Sequence, residues 1–161
     1  MVDIGWDARW GRVMEGAGED PYYGAKVAAA RVCGLQGDDL SADSTILACI
    51  KHFVGYGAVV AGKDYNSVDM SWGHFANFYM PPYKAGVEAG AATVMSAFND
   101  FENRPCTGNE DLLRGLLKEK WGFQGFVVSD WGSVGEMVNH RYAKDQKEAA
   151  NKAIMAGLDM E

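Results

Sequence analysis

The sequence predicts an α/β fold built on a parallel sheet, and three observations carry that prediction. Apolar, strand-like runs alternate with helical stretches four times and are followed by a fifth run. The runs lie about 30–45 residues apart, the spacing of β/α units. Polar and charged residues gather just behind the C-terminal ends of the runs, where α/β proteins place their chemistry. No GxGxxG or GxxxxGK loop follows any run, which makes a nucleotide-binding sheet the weaker choice. Five strands cannot close an eight-stranded barrel; they make half of one, or a small doubly wound sheet.

The elements follow in order. Met1–Ile4 reads as the first strand. Asp20-Pro21 supplies a cap and a first-turn proline for a helix over Tyr22–Leu35, stopped by Gly34 or Gly37. Ile46–Phe53 is the second strand. Ser71 caps a helix through Phe75, Phe78 and Tyr79, which Pro81-Pro82 breaks or kinks before Tyr83–Ala89. Ala92–Phe98 is the third strand. Asn109 caps Glu110–Trp121, where Leu112, Leu113, Leu116 and Leu117 form a stripe at helical spacing that ends at Gly122. Phe126–Ser129 is the fourth strand. Asp145 and Glu148 form a capping box for the helix running to Ala156, and Gly157–Met160 is the final strand.

The chain has 161 residues, 48% of them hydrophobic and 12% aromatic, enough for a real core and against disorder. Its net charge is −7 with no run of Lys or Arg, so nucleic acid is not an expected partner. Aromatics beside carboxylates suit a neutral polar ligand such as a sugar. No apolar stretch approaches membrane-spanning length. Cys33, Cys49 and Cys106 are widely spaced, and no His-Glu-x-x-His or Cys/His cluster occurs, so neither a disulfide framework nor a metal is implied. No cofactor is expected. Cys49, in an apolar run, reads as a small core residue.

The most informative stretch is Phe126–Ser129 followed by Asp130-Trp131. A carboxylate at the end of a buried strand is costly unless paired. Asp130 is either a catalytic group or the cap of a helix starting near Gly132. The other strand ends add Arg12 and Glu15, then Lys51-His52, then Ser96–Asp100. In a parallel sheet these ends share one edge, giving cations, a histidine, carboxylates and aromatic walls. Taken singly, Lys51 serves equally as a Schiff-base lysine or a member of an ion network, and Arg12–Glu15 as a helical surface pair. His74 and His140 read as surface or loop residues, and the aromatic helix Phe75–Tyr83 as core or interface rather than a ligand box. Glycosidic cleavage needs this kind of mixture, with one carboxylate below the anomeric carbon and a proton donor near the leaving oxygen.

Three segments together resemble glycoside hydrolase family 3, in particular its β-glucosidase branch. They are Asp7–Pro21 with its Arg-Trp-Gly-Arg and Gly-Glu-Asp-Pro, Ile50–Phe53 continued by Gly62–Ser71, and Gly122–Trp131. Met80–Tyr83 and Val94–Asn99 match in order. The resemblance spans the whole chain. It implies part of that family's N-terminal (β/α)₈ TIM-like barrel, about four β/α units plus a final strand, within a retaining exo-glycosidase. It implies Asp130 as nucleophile. Arg12, Lys51 and His52 become ligands of the sugar hydroxyls, and Trp131, Met95 and Phe98 pocket walls. A tyrosine is common at the Phe98 position, so a hydroxyl contact to the nucleophile is missing here. Lys51 and Arg12 are the groups expected to keep Asp130 ionised. An upstream acid that grips the sugar and the acid/base carboxylate of a second α/β domain are outside these residues. The loop Lys51–Gly57 lacks the Pro and His of the branch acting on N-acetylglucosaminides. The chain is thus expected to be cut from a longer protein, to show poor stability, association or no activity alone, and to carry a carbohydrate substrate in the parent. Location is left open, with a periplasmic or secreted parent expected. A Schiff-base lyase using Lys51 and a non-catalytic sugar-binding or structural remnant are the competing functions.

Overall fold

The computed structural model describes residues 1–161. Its central sheet has three parallel strands in the order β1 (Cys49–Phe53), β2 (Thr93–Ser96), β5 (Phe126–Val128). A two-stranded hairpin, β3 (Asp100–Phe101) and β4 (Arg104–Pro105), follows β2 and was not foreseen. Two of the five expected strands are not ladder strands. Residues 1–4 run beside β1, with Val2, Asp3 and Ile4 buried, and give it one backbone bond, Val2 N–H to Lys51 O at 2.9 Å. The last segment makes a single parallel bridge, Val128 with Met160, and Ser129 N–H donates to Met160 O at 2.8 Å. The strands are also shorter than the apolar runs, since Ile46 and Leu47 lie exposed ahead of β1.

Together the five segments stand side by side in chain order. A doubly wound sheet reverses its strand order at a switch point, whereas a barrel wall does not. The unbroken order therefore identifies an arc of a (β/α) barrel. Pairing puts Ile50, Val94 and Val127 in one row across the sheet, all buried. Ile50 packs on Gly86 of α3 (Pro81–Glu88), so this row faces the helices. The neighbouring row, Lys51, Met95 and Val128, is half-buried and faces the other way, into the concave side.

Helix α1 (Pro21–Gln36) starts as expected: Asp20 accepts from Tyr23 N–H at 2.7 Å and Pro21 occupies the first turn. Gly37, at φ 58°, ends it. Ser71 caps α2 (Trp72–His74), which continues as a π-turn over Phe75–Tyr79; Pro81 and Pro82 then begin α3 rather than kinking a helix. The leucine stripe lies on Asp111–Lys120, wound as a π-helix closed by Trp121 N–H to Leu116 O, and all four leucines are buried. Helix α4 (Ser133–Asn139) follows β5, and α5 (Gln146–Ala156) ends at Gly157. Asp145 caps α5 through Glu148 N–H at 2.8 Å, but Glu148 reaches back to Lys144 N–H, one residue further than the box requires. Phe75 is core, stacked on Phe101 at 4.0 Å, while Cys49 is only half-buried.

Candidate active site

The register between β1 and β2 slips between Lys51 and Phe53, which pair with Met95 and Ser96. One residue, His52, is therefore extra in β1. Such bulges re-aim a side chain and leave its backbone without a ladder partner. Here the Asp3 carboxylate supplies the partner: Oδ2 accepts from His52 N–H at 2.9 Å and lies 3.1 Å from ring Nδ1. The Tyr83 hydroxyl, from α3, sits against Asp3 Oδ1 and the His52 carbonyl. Asp3 and His52 are 2% and 1% exposed. A buried carboxylate left without such bonds would cost about 1–3 kcal/mol or more. Burial, foremost, then the charge of Asp3 and the hydrogen bond to it, push the Tyr83 hydroxyl well above its ordinary range.

The other ring nitrogen of His52, Nε2, lies 3.4 Å from Asp130 Oδ2 and has no hydrogen-bond partner. Asp130 follows β5 at the carboxyl edge of the sheet. Its Oδ1 accepts from Trp131 N–H at 2.7 Å. It does not cap α4, whose first turn carries no side-chain cap; only its carbonyl meets Ser133 N–H. The capping alternative for Asp130 therefore fails. Glu136, on α4, has its carboxyl raised by burial first, with the charge of Asp130 adding to the shift.

Lys51 and Met95 are adjacent across β1 and β2 on the concave face, and Lys51 makes no ion pair. Arg12 lies over the Tyr56 ring at 5.8 Å and is clamped by Glu15 at 2.8 and 2.9 Å. That hydrogen bond raises Arg12 and lowers Glu15. Neither Arg12 nor Lys51 comes within ion-pair distance of Asp130. The expectation that these two cations hold the carboxylate ionised is corrected: its one basic neighbour within 4 Å is His52. The pocket wall is aromatic: Tyr56 meets His52 edge-on at 5.2 Å, and Phe98, almost buried, packs on Tyr56 and on Tyr65 at 4.6 Å. Trp10, whose Nε1–H donates to Asp64 at 2.5 Å, pins the loop after Ile4 to the loop after β1. Trp131 stands 91% exposed at the rim. His74 packs on Trp6 and His140 faces Asp100 at 3.5 Å; neither pairs with Asp130.

The structure thus joins His52, Asp130 and Trp131 directly, sets Lys51 and Met95 on the face beside them, and links Arg12 and Phe98 through Tyr56. Sequence reasoning missed Asp3, Tyr56 and Tyr83. The signal for Asp3 was present: a carboxylate inside Met1–Ile4 raises the same question of pairing as the one after Phe126–Ser129.

Residues 1–161 match the family model described as glycosyl hydrolase family 3 N terminal domain. A periplasmic beta-glucosidase of Salmonella typhimurium is 44% identical over 160 residues, 99% of this chain and 21% of that protein. A beta-xylosidase of Formosa agariphila is 40% identical over 159 residues, 96% of this chain and 22% of that protein. The crystal structure of beta-glucosidase from Listeria innocua superposes with a TM-score of 0.98 at 44% identity, covering 100% of this chain and 23% of its own. The chain spans about a fifth of the length of these relatives.

Proposed function

The chain belongs to glycoside hydrolase family 3, as part of its N-terminal domain, and on that footing we propose that the full-length protein is a retaining, exo-acting β-glucosidase whose nucleophile is Asp130. The observation that carries this reading is a carboxylate at the carboxyl edge of the sheet, with an unpartnered imidazole nitrogen at 3.4 Å and an exposed indole on its flank. Asp130 attacks the anomeric carbon, its Oδ–C1 bond forming as the glycosidic C1–O bond breaks. Water then cleaves the glycosyl-enzyme with retention. The leaving oxygen takes its proton from an acid in a second α/β domain, which also returns to activate the water. Arg12, Lys51 and His52 bind sugar hydroxyls; Trp131, Met95 and Phe98 bound the sugar's apolar faces. Residues 1–161 alone, without that acid, are inactive. The named relatives divide between glucosides and xylosides, so xylosides form a second substrate class. Export of the full-length protein follows the periplasmic relative. The Schiff-base reading of Lys51 loses its ground to the family assignment.

A fluoro-sugar inactivator applied to the full-length enzyme tests the reading. Its adduct is expected on the peptide containing Asp130. An adduct elsewhere, or none despite turnover, overturns the assignment.

A further inference from the structure

We infer that Asp3 is a positioning residue, which fixes the ring of His52 so that Nε2 is presented to the sugar; this rests on the reading of His52 as a sugar ligand. Four observations converge on it. His52 is the bulged residue of β1, so the ladder does not orient it. Asp3 replaces the ladder with two bonds to one oxygen, from the backbone N–H at 2.9 Å and from the ring at 3.1 Å. A carboxylate only accepts, so Nδ1 carries the proton and Nε2 is the nitrogen left for the site. That nitrogen is buried, without a partner, and faces Asp130 Oδ2 across 3.4 Å.

A buried polar atom with no partner is rare and asks for one. A ring held this way turns Nε2 toward the site, beside the acceptor oxygen of Asp130. A sugar hydroxyl, which both donates and accepts, is the ligand group that satisfies it. Asp3 does not make this contact itself, since it lies against Nδ1, on the opposite side of the ring from Asp130. Its carboxylate is in turn held from behind at Oδ1 by the Tyr83 hydroxyl, and the edge of Tyr56 limits the ring at 5.2 Å. The Asp3 and His52 side chains are 49 residues apart and serve as one unit.

The test is a double-mutant cycle in the full-length enzyme with an aryl β-glucoside. Asp3→Ala is expected to lower kcat/KM by about 100-fold per folded molecule, the scale of a misplaced contact, with kcat falling alongside because the lost bond strengthens in the transition state. Asp3→Asn, whose amide oxygen can accept both bonds, is expected to recover to within about tenfold of the parent. In the His52→Ala background either Asp3 substitution should add almost nothing. If Asp3→Ala does not fold, the same cycle is read on Asp3→Asn, whose smaller loss should likewise vanish. Additive losses overturn the inference. So does a loss confined to His52→Ala, with the Asp3 variants turning over normally. Full turnover in His52→Ala overturns the sugar-binding reading of His52 together with it.

Discussion

The two ends of the same strands are finished in different ways. At the amino end, the buried side chain of Gln36 closes α1 against the sheet, and all its polar atoms are used. Oε1 accepts from Ala48 N–H and Ala92 N–H at 3.1 and 2.8 Å, and Nε2 donates to Gly90 O at 2.9 Å. Toward the carboxyl end, His52 Nε2, Asn99 Oδ1, Asp100 Oδ1 and Ser129 Oγ, with Asn109 Nδ2 ahead of the leucine helix, are buried without partners in the protein. Buried polar atoms are normally satisfied. The two ends therefore differ: Gln36 is saturated within the fold, whereas the carboxyl end keeps polar side-chain atoms that the protein itself does not pair.

The largest effect expected from this contrast is at Asp130. Asp130→Asn in the full-length enzyme should reduce kcat by about 10⁴-fold or more, because nucleophile and acid/base act as a unit. The thermal midpoint should stay close to the parent's. Retention of near-parental turnover would break the comparison at its centre. Next is Lys51→Ala, on the concave face and free of ion pairs. Losing a charged hydrogen bond to a sugar hydroxyl should cost about 10–100-fold in kcat/KM. A change in stability with kcat/KM intact would return Lys51 to a structural role.

At the amino end the prediction is reversed. Gln36→Leu strands two backbone N–H groups and should destabilise the protein by about 2–4 kcal/mol, measured by denaturant unfolding, with kcat/KM per folded molecule unchanged. Equal damage to turnover would erase the distinction between the two ends. The smallest effect belongs to Asp7 at the surface. The hydrogen bond from Arg9 holds its carboxyl down from 3.8 to about 2. A depressed folded value adds stability that is present above the ordinary carboxylate range and is lost as pH falls toward about 2. That contribution is present at neutral pH, but the pair is exposed and screened, so Asp7→Asn should cost little stability there and leave turnover unaltered. Titration of Asp7 by carbon NMR at its ordinary value would show that the Arg9 pair does not persist in solution.

Much of this arrangement was legible before any coordinates. Asp20-Pro21 and Asp145 signal helix starts because capping is settled within three or four residues. Asp130-Trp131 was legible because a charge at the end of an apolar run needs a reason. The hairpin after β2 and the π-winding of Asp111–Lys120 were not, since neither leaves a periodicity distinct from loop or α-helix. The Asp3–His52 pair was hidden for a different cause: its members lie in separate strand-like segments, and only the slip in β1 brings the ring onto the carboxylate.

Local chemistry along the chain was enough to determine the alternation of elements, the helix caps and the set of residue types suited to sugar chemistry, because these depend on short-range backbone preferences and on what burial costs each side chain. Tertiary structure alone decided that the segments stand in unreversed order as a barrel arc, that His52 rather than Lys51 or Arg12 borders Asp130, and that Asp3 lies behind it. Those facts depend on strand register, and one residue of slip changes which side chains meet.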